Sequence, residues 1–294
     1  MVIIIELFDL HCDTVTKAYN EKKSLFDGEM HINLKKAGYI PKYRQCFALW
    51  LSDSLKGRSA FSFCLKLIDF YNIELSHLKE KGVTNLIPFL TIENGSALSG
   101  TSENISLFAE KGVRMLTLTW NGENEIGQGV GADSGRGLTP FGKTAVRIME
   151  KENIKLDVSH LNEEGFKDVL SFATVPFAAS HSGCYSLVPH KRNLKDWQIK
   201  EIISSGGIIG VPYCNTFIEG GKEKVYEHIC HILSLGGENN IALGSDFDGC
   251  NISNELSGVE KVVELYQYLS ESDIGKDITE KIFHINAENF FSVK

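Results

Sequence analysis

Eight short apolar runs recur along the 294 residues, at 3–10, 44–51, 84–92, 113–119, 154–158, 175–179, 207–212 and 241–244. Most are continuous rather than alternating, the pattern of strands buried on both faces. Between them lie stretches with helical spacing at 59–81, 102–111, 139–151, 162–171, 195–204 and 222–235. Glycines punctuate the connections, as at Gly82, Gly112 and Gly206, where a helix must stop. Strands separated by helices run parallel, and eight such units predict a closed (β/α)8 TIM barrel rather than an open sheet. Beyond the last strand, 259–271 and a polar, aromatic tail to Lys294 predict additional C-terminal helices. The first unit is irregular: residues 15–43 are polar and mixed, and read as a long loop over an active site. No composition shift or fixed-period repeat divides the chain, so 1–294 is expected to form a single domain.

Composition narrows the function classes. The formal charge of −8, with hydrophobic residues at 43% and charged residues at 23%, fits an ordinary globular protein and argues against a nucleic-acid surface. No apolar run approaches the roughly 18 residues needed to cross a membrane. The N-terminus lacks the basic start and small-residue cleavage site of a signal peptide. Seven cysteines, an odd number without CxxC spacing, read as free thiols in a reducing compartment. A cytoplasmic protein is expected, without nucleic-acid or membrane partners.

In such a barrel, chemistry gathers at the carboxyl ends of the strands. Strand one ends in Asp9-Leu10-His11-Cys12-Asp13, where strict alternation would aim Asp9, His11 and Asp13 to one side and Cys12 to the other. Strand three ends in Glu93, strand four in Trp120-Asn121, strand five in His160, strand six in His181, strand seven near Tyr213 and strand eight in Asp246. Any one of these could be a loop or capping residue, and Asp248-Gly249 is itself a turn signal. Three histidines and three carboxylates at one end of five strands are a different matter, because His31, His77, His190, His228, His231 and His284 do not share that placement. Together they would suit two divalent cations about 3.5–4 Å apart with one carboxylate bridging, an arrangement for hydrolysis. Asp246, arriving across the barrel mouth from strand one, is the candidate proton shuttle. Arg192 follows the strand-six loop; its planar fork could pair with a substrate carboxylate, or it could be one of several solvated basic groups.

Several ordered motifs resemble the renal, or membrane, dipeptidases and their bacterial relatives. They are Asp9-Leu10-His11-Cys12-Asp13, Ile92-Glu93-Asn94-Gly95, Leu156-Asp157-Val158-Ser159-His160, Ser180-His181-Ser182, Arg192-Asn193 and Gly244-Ser245-Asp246-Phe247-Asp248-Gly249. The resemblance covers almost the whole chain. It implies a barrel with two divalent metal ions, zinc in this family, that cleaves dipeptides through a metal-bridging hydroxide. Carried onto these positions, His11 and Asp13 would bind one ion, His160 and His181 the other, and Glu93 both. Arg192, with Tyr213 in the same pocket, would hold the substrate's carboxylate, and Asp246 would meet the bridging water and the free amine. Related enzymes also imply a homodimer.

One position departs from the family. Where the renal enzyme carries a histidine after strand four, this chain has Trp120, whose indole donates one hydrogen bond but cannot become a cation. Asn121 or the glycine-rich loop 127–137 would have to compensate, or the substrate differs. Two further readings therefore stand beside a dipeptidase: a binuclear amidohydrolase for another small amide or lactam, and a catalytically impaired barrel that binds a ligand or partner.

Overall fold

The computed structural model describes residues 5–132 and 135–293. Eight parallel strands close into a barrel in sequence order: β1 Glu6–Cys12, β2 Lys42–Trp50, β3 Leu86–Glu93, β4 Val113–Thr117, β5 Lys155–Asp157, β6 Ala178–Ala179, β7 Ile208–Val211 and β8 Ile241–Leu243. Asp9 of β1 pairs with Leu243 of β8 to complete the ring. All eight expected strands are present. Several are shorter than their apolar runs, β6 above all, because the chain leaves the ladder early to build the mouth.

The helices between them are α1 Thr14–Glu21, α2 Gly57–Glu80, α3 Glu103–Glu110, α4 Pro140–Lys151, α5 Glu163–Phe172, α6 Asp196–Ser204, α7 Asn215–Ile218 and α8 Lys222–Ser234. Their starts follow from capping chemistry. Thr139 Oγ1 accepts from the Gly142 amide ahead of Pro140, and Asn162 Oδ1 accepts from the Gly165 amide, each satisfying an amide the helix cannot. The C-terminal helices α9 Val262–Glu271, α10 Gly275–Glu280 and α11 Asn286–Ser292 are the expected additions. They close the amino-terminal end of the barrel: Phe290 and Phe291 join Phe8, Leu10 and Met115 in one cluster, with Phe291 stacked on Phe8 at 5.3 Å. One end is thus sealed by hydrocarbon, and the polar groups lie at the other. Among the described residues no helix is long and apolar enough to cross a membrane.

Two expectations need correcting. Residues 15–43 are not wholly loop, because α1 runs to Glu21, stopped by Lys22 in the left-handed region at φ 55°. Only Thr14, Val15, Thr16 and Ala18 of its eight residues are buried, too few to mark a helix in a polar sequence. Strict alternation through 9–13 also fails. Asp9 faces Gln45 and Cys12 faces Phe47, so three steps on β1 answer two on β2, a bulge. Leu7 and Cys12, five apart, consequently both pack under the helices. Residues 133 and 134 of the glycine-rich loop 127–137, residues 3 and 4 of the first run, and Lys294 fall outside the described residues.

Candidate metal centre

The bulge is what brings β1 into the site. It separates Asp9 from His11 in orientation, and Asp9 Oδ1 instead accepts from the backbone amides of His11 (3.0 Å) and Ser245 (3.1 Å). Asp9 therefore ties β1 to the chain leaving β8 and holds the backbone that carries His11. Other backbone features serve the same end of the barrel. His160 and Asp246 sit at φ 68° and 59°, a region that costs side-chain-bearing residues energy and that clusters at functional sites. Gly210 and Gly244 let Ser180 approach: a Cβ on either would meet the Ser180 carbonyl oxygen at 1.9 or 1.8 Å. Any side chain there would push His181 out of place.

The five expected ligands converge. Glu93 Oε2 lies 3.4 Å from His11 Nε2, while Glu93 Oε1 lies 2.9 Å from His160 Nε2 and 3.8 Å from His181 Nε2. Asp13 Oδ1 is 3.9 Å from His11 Nε2. One oxygen of Glu93 thus faces each half: His11 with Asp13, and His160 with His181. In each triad the ligand atoms lie within 4.8 Å of one another. Asp246 completes the rim, with Oδ1 3.9 Å from His11 Nε2.

The hydrogen bonds around the histidines fix which nitrogen is free. Ser180 Oγ donates to Asp157 Oδ2 at 2.6 Å, so towards His181 Nδ1, 2.8 Å away, it can only accept. His181 then carries its proton on Nδ1 and a lone pair on Nε2. Asn121 Oδ1, an acceptor 2.9 Å from His160 Nδ1, imposes the same tautomer on His160. The two Nε2 atoms are 2.9 Å apart. Two lone pairs that close repel unless a cation lies before them. His11 Nε2, Asp13 Oδ1 and Glu93 Oε2 are, moreover, buried without any hydrogen-bond partner. Buried polar atoms rarely go unpaired, and these three are metal-ligating types gathered around one point. The donor set fits divalent cations.

The electrostatics describe the same need for positive charge. Burial, then the Asp13 carboxylate, pushes the Glu93 carboxyl up to about 8, and burial followed by Asp13 raises Asp246 to about 7. His11 resists burial because the Glu93 and Asp13 carboxylates favour its charged form, and it is raised well above its ordinary value. Burial, with positive charge from Arg192 and His11, lowers His160 and His181 well below theirs, which keeps their lone pairs available.

Two cavities meet at His160. The first, about 430 Å³, is lined by Asp13, Glu93, His160 and Asp246 at its floor and by Trp50, Trp120 and Asn121 on one side. Trp120 stands edge-on to Trp50, ring centres 5.1 Å apart. The second, about 300 Å³, holds Ser182 and Arg192. Arg192 is buried, donates from Nη2 to the His181 carbonyl at 3.1 Å, lies over the Phe217 ring, and leaves Nε without a partner. Tyr213, expected in the same pocket, is 1% exposed, packs edge-on to Phe247 and lines neither cavity.

Sequence reasoning passed over several residues of this site. Trp50 ends β2 and shares a wall of the first cavity with Trp120; a reading of strand ends alone could have found it. Asp157 accepts from the amides of Ser159 (3.0 Å) and Ser180 (2.8 Å) and from the hydroxyls of Thr117 (2.5 Å) and Ser180. Asp248, its side chain wholly buried, binds Thr14 Oγ1 (2.6 Å), Lys17 Nζ (3.1 Å) and the His31 amide (2.9 Å), latching α1 and the following loop to the end of β8. Its only sequence signal was the turn-like Asp-Gly pair.

Residues 3–293 match the family model of the membrane dipeptidases, peptidase family M19. The chain is 33% identical over 209 residues to an uncharacterized protein in the pqqA 5' region of Klebsiella pneumoniae, covering 66% of this chain and 77% of that one. It is 32% identical over 161 residues to an uncharacterized dipeptidase of Schizosaccharomyces pombe, where the match spans 51% of this chain but 38% of the fungal protein. In fold it superposes on a metallopeptidase of Rhodobacter sphaeroides, liganded with a phosphinate mimic of the dipeptide L-Ala-D-Ala, with a TM-score of 0.86 at 23% identity over 99% of both chains. Barrel, ligand cluster and family match together establish that the chain belongs to the membrane dipeptidase family, the M19 metallopeptidases, and is an enzyme of the metallo-dipeptidase class.

Proposed function

We propose that residues 1–294 act as one catalytic barrel, a zinc-dependent dipeptidase with two ions per chain, for substrates with a free amine and a free carboxylate. The observation that carries this reading is Glu93, with one carboxylate oxygen turned to His11 and Asp13 and the other to His160 and His181. His11, Asp13, Glu93, His160 and His181 would hold two cations, whose Lewis acidity would be available to a shared water and to the substrate carbonyl.

The chain's own residues do the rest. Arg192 presents a buried, unpaired Nε beside the second cavity, and a substrate carboxylate offers the acceptor it lacks. Asp246 takes the amino end in the first cavity, where its carboxylate either pairs with an ammonium or accepts the proton given up by water. Asn121 holds the His160 ring, and Trp50 and Trp120 wall the space for the N-terminal side chain while limiting water. The free cysteines, five of them buried, suit a reducing compartment such as the cytoplasm.

A second reading has one observation behind it, Trp120 in place of the renal enzyme's histidine: a binuclear amidohydrolase for another small amide or lactam. Blocking the substrate separates the two. N-acetylated and C-amidated dipeptides should not turn over while their unblocked parents do, and chelator should stop the parents. Equal turnover of blocked and unblocked substrates would favour the second reading.

A further inference from the structure

Beside the metal centre, and sharing Asp246 with it, lies a pair of cysteines that the reaction does not use. Cys214, the residue before α7, pairs through an isolated antiparallel bridge with Ile252, which brings the strand-seven and strand-eight loops together. Cys250 lies two residues before Ile252. The two sulfurs and a carboxylate oxygen of Asp246 all fall within 4.8 Å of one another. Cys214 is 2% exposed, whereas Cys250 is half-buried and lines the first cavity, so the cluster opens to the substrate's space. Cys250 Sγ currently donates to the Asp246 carbonyl, 3.6 Å away.

We propose that Cys214, Cys250 and Asp246 form a separate, inhibitory site for a thiophilic d10 cation such as cadmium or excess zinc. Thiolates prefer soft, closed-shell ions, and a tetrahedral ion about 2.3 Å from each sulfur holds the sulfurs about 3.8 Å apart, within the observed spacing. Two thiolates and one carboxylate leave a fourth position open to the cavity for water. Binding releases the two thiol protons to solvent and forms two metal–sulfur bonds and one metal–oxygen bond, with no change of oxidation state. Inhibition follows because Asp246, once ligated here, is withdrawn from the substrate. That second half rests on the role given to Asp246 above; the binding itself does not.

The test titrates the zinc-loaded enzyme with Cd2+ under reducing conditions, following thiolate-to-cadmium charge-transfer absorption and dipeptide turnover together. The His, Asp and Glu ligands of the main centre contain no sulfur, so cadmium exchange there adds no such absorption. The expected result is one saturating absorption step, with turnover falling in the same step. In Cys214→Ser and in Cys250→Ser the step disappears, and inhibition, relative to each variant's own starting rate, requires roughly a hundredfold more cation or more. Cys250→Ala repeats the second test with a different replacement. A step that survives in all the variants, or inhibition with no step, overturns the site. A step with undiminished turnover overturns the inhibition, and the absorption arm remains decisive even for an enzyme without dipeptidase activity.

Discussion

Replacing Ser180 with alanine should loosen the metals without loosening the fold in proportion. The Ser180 hydroxyl gives its proton to Asp157 and accepts the Nδ1 proton of His181, which keeps the His181 Nε2 lone pair facing Glu93 and His160. Without it, the buried Nδ1–H loses its acceptor and the imidazole can shift tautomer or rotate. Partners of this kind are worth about 10–100-fold in metal affinity, or about 1.4–2.8 kcal/mol. In the metal-free protein the variant loses two hydrogen bonds, one to Asp157, where Thr117 still donates to the same oxygen, and one from His181, whose unligated ring is free to change tautomer, together about 1–3 kcal/mol. Thr117→Val is the matched control: it removes the other hydroxyl on Asp157 Oδ2 but never touches His181. Competition against a chromophoric chelator measures affinity, and urea unfolding of the stripped proteins measures stability. Ser180→Ala should weaken metal binding while Thr117→Val should lower stability alone. Equal metal affinity in Ser180→Ala and its parent, or an equal loss in Thr117→Val, would refute the tautomer argument.

Other changes test other parts of the site. Glu93→Gln should stabilise the chelator-stripped protein near pH 8 by about 1–3 kcal/mol in thermal unfolding while abolishing turnover, since the folded carboxyl is raised by burial. The sign follows from proton counting: from about 4.5 to about 8 the folded, metal-free protein keeps a proton that the unfolded chain has released, so parental stability falls as pH rises. Asp248→Ala should cost about 2–4 kcal/mol in urea unfolding, because it strands the Thr14 hydroxyl and the His31 amide and frees α1. Arg192→Lys should raise KM about 10–100-fold for unblocked dipeptides, a point charge replacing a planar fork. Trp120→Ala should reduce kcat/KM more for dipeptides with a large N-terminal side chain than for those beginning with glycine; an equal loss for both would remove Trp120 from that wall.

Much of this molecule was legible in the chain because buried parallel strands read as plain apolar runs. In a barrel, the residue that follows each run faces the mouth. His11 and Glu93 directly follow their runs and His160, His181 and Asp246 stand two residues beyond theirs, so their joint placement at one end of the barrel could be read from the chain. The rule fails where pairing rather than pattern decides. The β1 bulge is a mismatch with β2, and nothing in residues 9–13 announces it. The link from Asp157 through Ser180 to His181 depends on the register of β5 against β6, with Asp157 opposite Ala178, which neither run specifies on its own. Tyr213 sits where the run ended, yet its ring packs edge-on to Phe247 and lines neither cavity. Helix α1 escaped notice because half of its length faces solvent.

If two cations share Glu93 as proposed, hydrolysis depends on both. The most direct measurement strips the protein with chelator and follows hydrolysis of an unblocked dipeptide as Zn2+ is returned in small equivalents. Turnover should be absent at the start and should plateau at about two ions per chain. In His181→Ala, which retains His11, Asp13 and Glu93, binding should stop near one ion with almost no turnover. Full activity in the stripped protein, or a plateau at a single ion, would contradict a two-ion centre.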